Sequence, residues 1–67
     1  MANFLRVRLS TIDAEKEVHV QIKDYDLQYA DVDSVLKSIR KIFTYSEHKI
    51  VSLTHKFITE EEYTQQN

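Results

Sequence analysis

Apolar residues in this chain recur every second position, then every third or fourth, then every second position again. That change of period points to an α+β fold. In residues 4–10, Leu5, Val7 and Leu9 alternate with Phe4, Arg6, Arg8 and Ser10. In residues 17–23, Val18, Val20 and Ile22 alternate with Glu17, His19, Gln21 and Lys23. Successive side chains of a strand point to opposite faces, so strict alternation marks a strand covered on one side. The polar stretch 11–16 is short enough to join the two runs as an antiparallel hairpin.

Residues 24–31 break the alternation with three aspartates and read as a loop that Leu27 and Tyr29 anchor. The period then lengthens: Val32, Val35, Leu36, Ile39, Ile42 and Phe43 fall on one stripe of a helix. Asp31 suits its N-cap, and Asp33 lies in the first turn, where the helix dipole favours negative charge. Lys37, Arg40 and Lys41 sit toward the other end, as the same dipole requires. Lys37 and Lys41 are four apart and both basic, so that surface is not tuned for helix stability alone. The helix is expected to end between Thr44 and Glu47 without a glycine cap. Residues 49–58 alternate again. Their more apolar set, Val51, Leu53, His55 and Phe57, is expected to face the helix, leaving Ile50, Ser52, Thr54, Lys56 and Ile58 on the other side. The segment 59–67, with Glu60, Glu61 and Glu62, reads as a frayed or loosely helical solubilising tail.

The expected architecture is therefore β-β-α-β: an antiparallel hairpin and a third strand, with one amphipathic helix packed on one face of the sheet. It forms a single domain over residues 1–67, with an ordered core of about 3–58. A chain this short is marginal on its core alone, and small domains often add disulfides, a metal or a second copy. With no cysteine, disulfides and thiolate metal sites are excluded. His19, His48 and His55 lack the spacing of a zinc motif. Asp24, Asp26, Asp31 and Asp33 do not match a calcium loop, which also needs a glycine at its sharp turn. The expectation is that no metal or cofactor is bound, and that self-association is open.

Zero glycine and zero proline removes glycine-rich phosphate loops, the dinucleotide fingerprint and the glycine-built nucleophile elbow. No serine sits in a motif with histidine and a carboxylate, and one helix on three strands rarely encloses a catalytic pocket. An enzyme is not expected. His55, on the face assigned to the core, reads as a hydrogen-bonded structural histidine rather than a catalyst. No stretch is long and apolar enough for a membrane span or a secretion signal, so a cytoplasmic protein is expected.

If Leu5, Val7, Leu9, Val18, Val20 and Ile22 all meet the helix, the opposite face presents Arg6, Arg8, His19 and Lys23, joined by Lys56 from the third strand. That side is cationic although the chain has 11 acidic against 9 basic residues and a net charge of −2. Clustered charge of one sign steers partners of the other, whereas the solvated side of an antiparallel sheet carries such residues without any partner. Tyr25 and Tyr29, in the acidic loop, suit a protein interface because tyrosine brings contact area at small entropy cost; packed down, they would serve as loop anchors. The expected function is a small non-catalytic protein-interaction module (a regulator, inhibitor or assembly accessory) that binds a larger protein or itself as a homodimer or higher oligomer. Bacterial and phage accessory proteins suit that description. The candidate partner-binding residues are Arg6, Arg8, His19, Lys23, Tyr25, Tyr29 and Lys56. A nucleic-acid binder using the basic sheet face is the alternative. It has only Phe4 as a stacking platform and lacks the aromatic signature of single-strand readers. A structural subunit joined through edge strands is a third reading.

Overall fold

A computed structural model describes residues 2–65. It contains β1 (Ala2–Ile12), β2 (Val18–Asp26), α1 (Val32–Phe43), β3 (Lys49–Thr59) and α2 (Glu60–Gln65). The three strands form one antiparallel sheet in the order β2-β1-β3, so β1 is central and both β2 and β3 are edges. This is the α+β architecture that the change of period requires.

The elements begin and end for local chemical reasons. Asp31 caps α1: its Oδ1 accepts the Ser34 backbone N–H at 2.8 Å and its Oδ2 accepts the Ser34 hydroxyl at 3.1 Å. These bonds favour the ionised carboxylate, so the Asp31 pKa lies below its ordinary 3.8, with the Ser34 backbone bond the largest cause. At the other end the Thr44 hydroxyl donates to the Arg40 carbonyl at 2.9 Å, and the Thr44 N–H reaches Lys41 O at 3.3 Å. A hydroxyl thus serves where a glycine C-cap is missing.

The core lies between α1 and the sheet. Leu5, Val7 and Leu9 of β1 pack against Val35 and Ile39 of α1, with Tyr25, Leu27, Val32, Phe43, Ile50 and Leu53 closing the margins. Leu5 is fully buried. The helix-facing side of β3 begins with Ile50 rather than Val51, because a bulge between the Ser10–Ser52 and Thr11–Ile50 pairs shifts the register there. Leu53, His55 and Phe57 do share the α1 side, opposite Leu9, Val7 and Leu5. His55 and Phe57 are nevertheless exposed, so His55 is not the partly buried, hydrogen-bonded histidine expected.

Further expectations are corrected. The first concerns β2, whose valines face the wrong way for a one-sided core. Its register on β1 pairs Ile12 with Val18, Ser10 with Val20 and Arg8 with Ile22. Directly opposed residues share a face, so Val18, Val20 and Ile22 stand on the side away from α1. His19, Gln21 and Lys23, expected there, stand on the α1 side opposite Thr11, Leu9 and Val7. A one-residue slip would exchange the two sets. The second concerns the tail, where the helical of the two alternatives holds but the helix packs on the sheet instead of standing free. Thr59, Glu60, Glu61 and Glu62 match a helix-start signature, and the Glu62 N–H bonds Thr59 Oγ1 at 3.2 Å. The resulting α2 lies against the end of the open sheet face. Tyr63 stacks on Phe4 at 4.2 Å with planes 3° apart, and Ile58, directly opposite Phe4 on that face, is 1% exposed. The face expected to be wholly uncovered is therefore covered at one end. The strands also extend beyond the residues read from alternation, with β2 running into the stretch taken as loop as far as Asp26.

Candidate interaction surface

The β2 register is set at both ends of the hairpin. At the turn, Lys16 N–H bonds Asp13 O and Asp13 N–H bonds Glu17 O, both at 3.0 Å. Asp13 Oδ1 accepts the N–H groups of Glu15 and Glu17 at 2.9 Å each, and its Oδ2 meets His19 Nε2 at 2.8 Å. The His19 bond, followed by the Glu17 N–H, holds the Asp13 carboxyl below its ordinary pKa of 3.8. The turn closes only because Lys16 adopts φ 71°, the left-handed region that glycine occupies at no steric cost. At the other end, Arg6 of β1 lies opposite Asp24 of β2 and grips it with two bonds, Nε–Oδ1 at 2.9 Å and Nη2–Oδ2 at 3.0 Å. Their side chains are only 13% and 14% exposed, which makes this fork-to-fork pair stronger than an ordinary surface ion pair. Asp24 accordingly raises the already high pKa of the Arg6 guanidinium.

This register leaves an apolar stripe facing water. Val18, Val20 and Ile22 are 60%, 50% and 61% exposed, on an edge strand and on the face away from the core. Beside them run Arg8 and Ser10 of β1, then Ser52, Thr54 and Lys56 of β3. Arg6, Arg8, Ile22, Thr54 and Lys56 border a shallow depression of about 360 Å³. Among the described residues, neither Arg8 nor Lys56 has an ion-pair partner.

The seven candidate partner-binding residues do not form one surface. Arg6, Arg8 and Lys56 share the open face as expected, but Asp24 neutralises Arg6. His19, Lys23 and Tyr25 lie on the α1 side. There Lys23 Nζ sits 5.2 Å from the Tyr25 ring centre, and Tyr25 is half-buried against the core. Tyr29 is exposed in the turn after β2, apart from both groups. Among the described residues the open face thus carries three cations without an ion-pair partner, Arg8, Lys56 and, opposite Ile12 at the Val18 end, Lys49, beside an apolar stripe. Sequence reasoning missed Val18, Val20 and Ile22 as surface residues. The signal that could have found them is Asp24, which can oppose an arginine of β1, Arg6 or Arg8, only in registers of this parity.

One cluster has the composition of a metal site. Ligand atoms of Asp13, Glu17 and His19 lie within 4.8 Å of one another, and the His48 ring centre is 5.3 Å from that of His19. Both Asp13 oxygens are already engaged by the turn's N–H groups and by His19, so hydrogen bonding accounts for the cluster. Among the described residues no helix is long and apolar enough to cross a membrane. No family model, curated protein or solved structure matches the chain.

Proposed function

We propose that this chain is a protein-interaction module that binds through β2 and the open face beside it. The observation that carries the reading is the exposed Val18–Val20–Ile22 stripe on an unpaired edge. Isolated surface apolar residues are ordinary, but aligned ones rimmed by polar groups are a feature of binding surfaces. An unpaired edge adds a row of backbone donors and acceptors that another chain can complete. Arg8 and Lys56 beside the stripe supply a polar rim that favours acidic groups on a partner.

The nucleic-acid alternative draws less support. Its single stacking platform, Phe4, is occupied by Tyr63, and Arg6 is held by Asp24, so the ring and one of the cations that this reading relies on are already engaged within the chain.

The test immobilises the chain and challenges it separately with a second preparation of the same chain and with extract of the source cells. Retention in either arm is expected. Replacing Val18, Val20 and Ile22 together with threonine should abolish it. Retention that survives this replacement, or no retention in both arms, overturns the reading.

A further inference from the structure

We propose that the partner of β2 is β2 of a second copy, paired antiparallel about a two-fold axis at Val20, so that two three-stranded sheets join into one of six strands. The inference deepens the interaction-module reading and rests on it.

A two-fold axis relating neighbouring antiparallel strands runs normal to the sheet and preserves its faces. Only registers that oppose even to even and odd to odd residues are therefore allowed. With the axis at Val20, Val20 meets its own copy, and Val18 of each chain meets Ile22 of the other. Glu17 of each chain meets Lys23 of the other. Within the stretch that is strand in both copies, Val18–Ile22, every apolar position is matched to an apolar one, and Glu17, the residue before β2, is matched to a base; Tyr25 and Asp26 fall opposite turn residues of the other copy, Glu15 and Ala14. Directly opposed unlike charges stabilise such a ladder and like charges destabilise it. The neighbouring registers fail this check. With the axis at Gln21, Val18 meets Asp24 and His19 meets Lys23. With the axis at His19, Ile22 meets Lys16. Self-complementarity of one patch is what a closed dimer requires, since both copies present the same surface.

The geometry of β2 permits the pairing. It runs from Val18 to Asp26 with an unbroken register on β1 and no proline, and with the axis at Val20 the five residues Val18–Ile22, about 17 Å of edge, are strand in both copies. The other edge is unsuited to it. β3 carries the bulge near Val51, and its charged residues, Lys49 and Lys56, are both basic, so two copies would bring only like charges together. In the dimer both α1 helices lie on the same face, and the two stripes merge into a continuous apolar band on the other.

Sedimentation equilibrium of the purified chain from about 1 µM to about 1 mM tests the proposal, since one strand pairing is a small interface whose affinity falls in that range. The mass is expected to rise from 8.0 kDa to twice that value and stop. Glu17→Lys and Lys23→Glu should each weaken the dimer about tenfold or more, because each change breaks both symmetry-related pairs. Combining them should restore it, since the charges then oppose again in reversed order. Circular dichroism verifies that each variant is folded. If either charge variant unfolds, Val20→Cys carries the test: the chain has no other cysteine, and opposed strand positions suit a disulfide. Oxidation by dissolved oxygen should link Val20→Cys into a dimer and leave Val51→Cys unlinked. A monomer at all concentrations, masses that grow without limit, a double charge variant no better than the singles, or equal linkage at both cysteine positions would overturn the proposal. A monomer that still captures another protein in the extract arm would overturn the dimer alone and leave the interaction-module reading standing.

Discussion

Lys16 and Asp31 each show a residue held where its chemistry has a measurable consequence. Lys16 holds φ 71° in the β1–β2 turn, a conformation that costs a residue with a Cβ roughly 1–2 kcal/mol. Glycine removes that cost but adds freedom to the unfolded chain, so Lys16→Gly should stabilise the protein by about 0.5–1 kcal/mol. Urea unfolding is the measurement, and a midpoint unchanged or lowered would show that the turn carries no strain. Asp31 acts through its charge. Its carboxyl is held below 3.8 in the folded chain, so its contribution is complete above that ordinary value and is lost as pH falls through the lower folded value. Asparagine at this position caps the helix without titrating. The stability difference between wild type and Asp31→Asn should therefore be constant above about pH 5 and shrink in acid. Thermal unfolding across pH 2–7 reads this directly. Asp13 follows the same sign, with stability gained above its ordinary pKa and lost in acid.

At the level of elements, the hairpin shows how far alternation reaches. The period of each run identified the strands, and the same alternation in β1 correctly placed Leu5, Val7 and Leu9 in the core and Arg6 and Arg8 outside it. It could not orient β2, because alternation states that two faces differ and leaves open which one meets the helix. That choice is made by Asp24, which pairs with Arg6, and by Tyr25, which comes to lie opposite Leu5 on the core side. Putting Val20 beside Leu9 would instead set Asp24 against Leu5 and leave the Arg6 fork without its partner. An unpaired, half-buried charge costs more than three exposed β-branched side chains. Arg6→Ala and Asp24→Ala should each lower the melting temperature and accelerate amide exchange in β2 more than in β3. The double variant should lose less than the sum of the two, since each single change strands the other partner. Strict additivity would mean that the turn alone sets the register. The docking of α2 escaped for a different reason: its acidic run reads as a solubilising tail, loosely helical at most, and the Thr59–Glu62 capping signature becomes persuasive only once Tyr63 is seen on Phe4.

Across the whole molecule, the principal extents of 40 × 23 × 15 Å describe a sheet with one helical layer and too little depth for a second. The sequence announces that two-layer arrangement through its single long amphipathic stripe. It conceals the consequence that apolar side chains remain on the far side, because hydrophobic residues are counted as core until a register says otherwise. The two sides therefore answer differently to substitution. Leu5, fully buried against α1, should lose about 2–5 kcal/mol on change to alanine, a large share of what so small a domain possesses. Val20, half exposed on the open face, buries little within one chain, so Val20→Thr should alter the stability of the monomer by no more than about 0.5 kcal/mol. Urea unfolding at low micromolar concentration compares the two. At high protein concentration the order of effects on association should reverse for any Leu5 variant that still folds: Val20→Thr weakens pairing while Leu5→Val leaves it intact. A Val20 change that unfolds the isolated chain would mean that β2 faces the core after all, and the apolar edge would cease to be a surface.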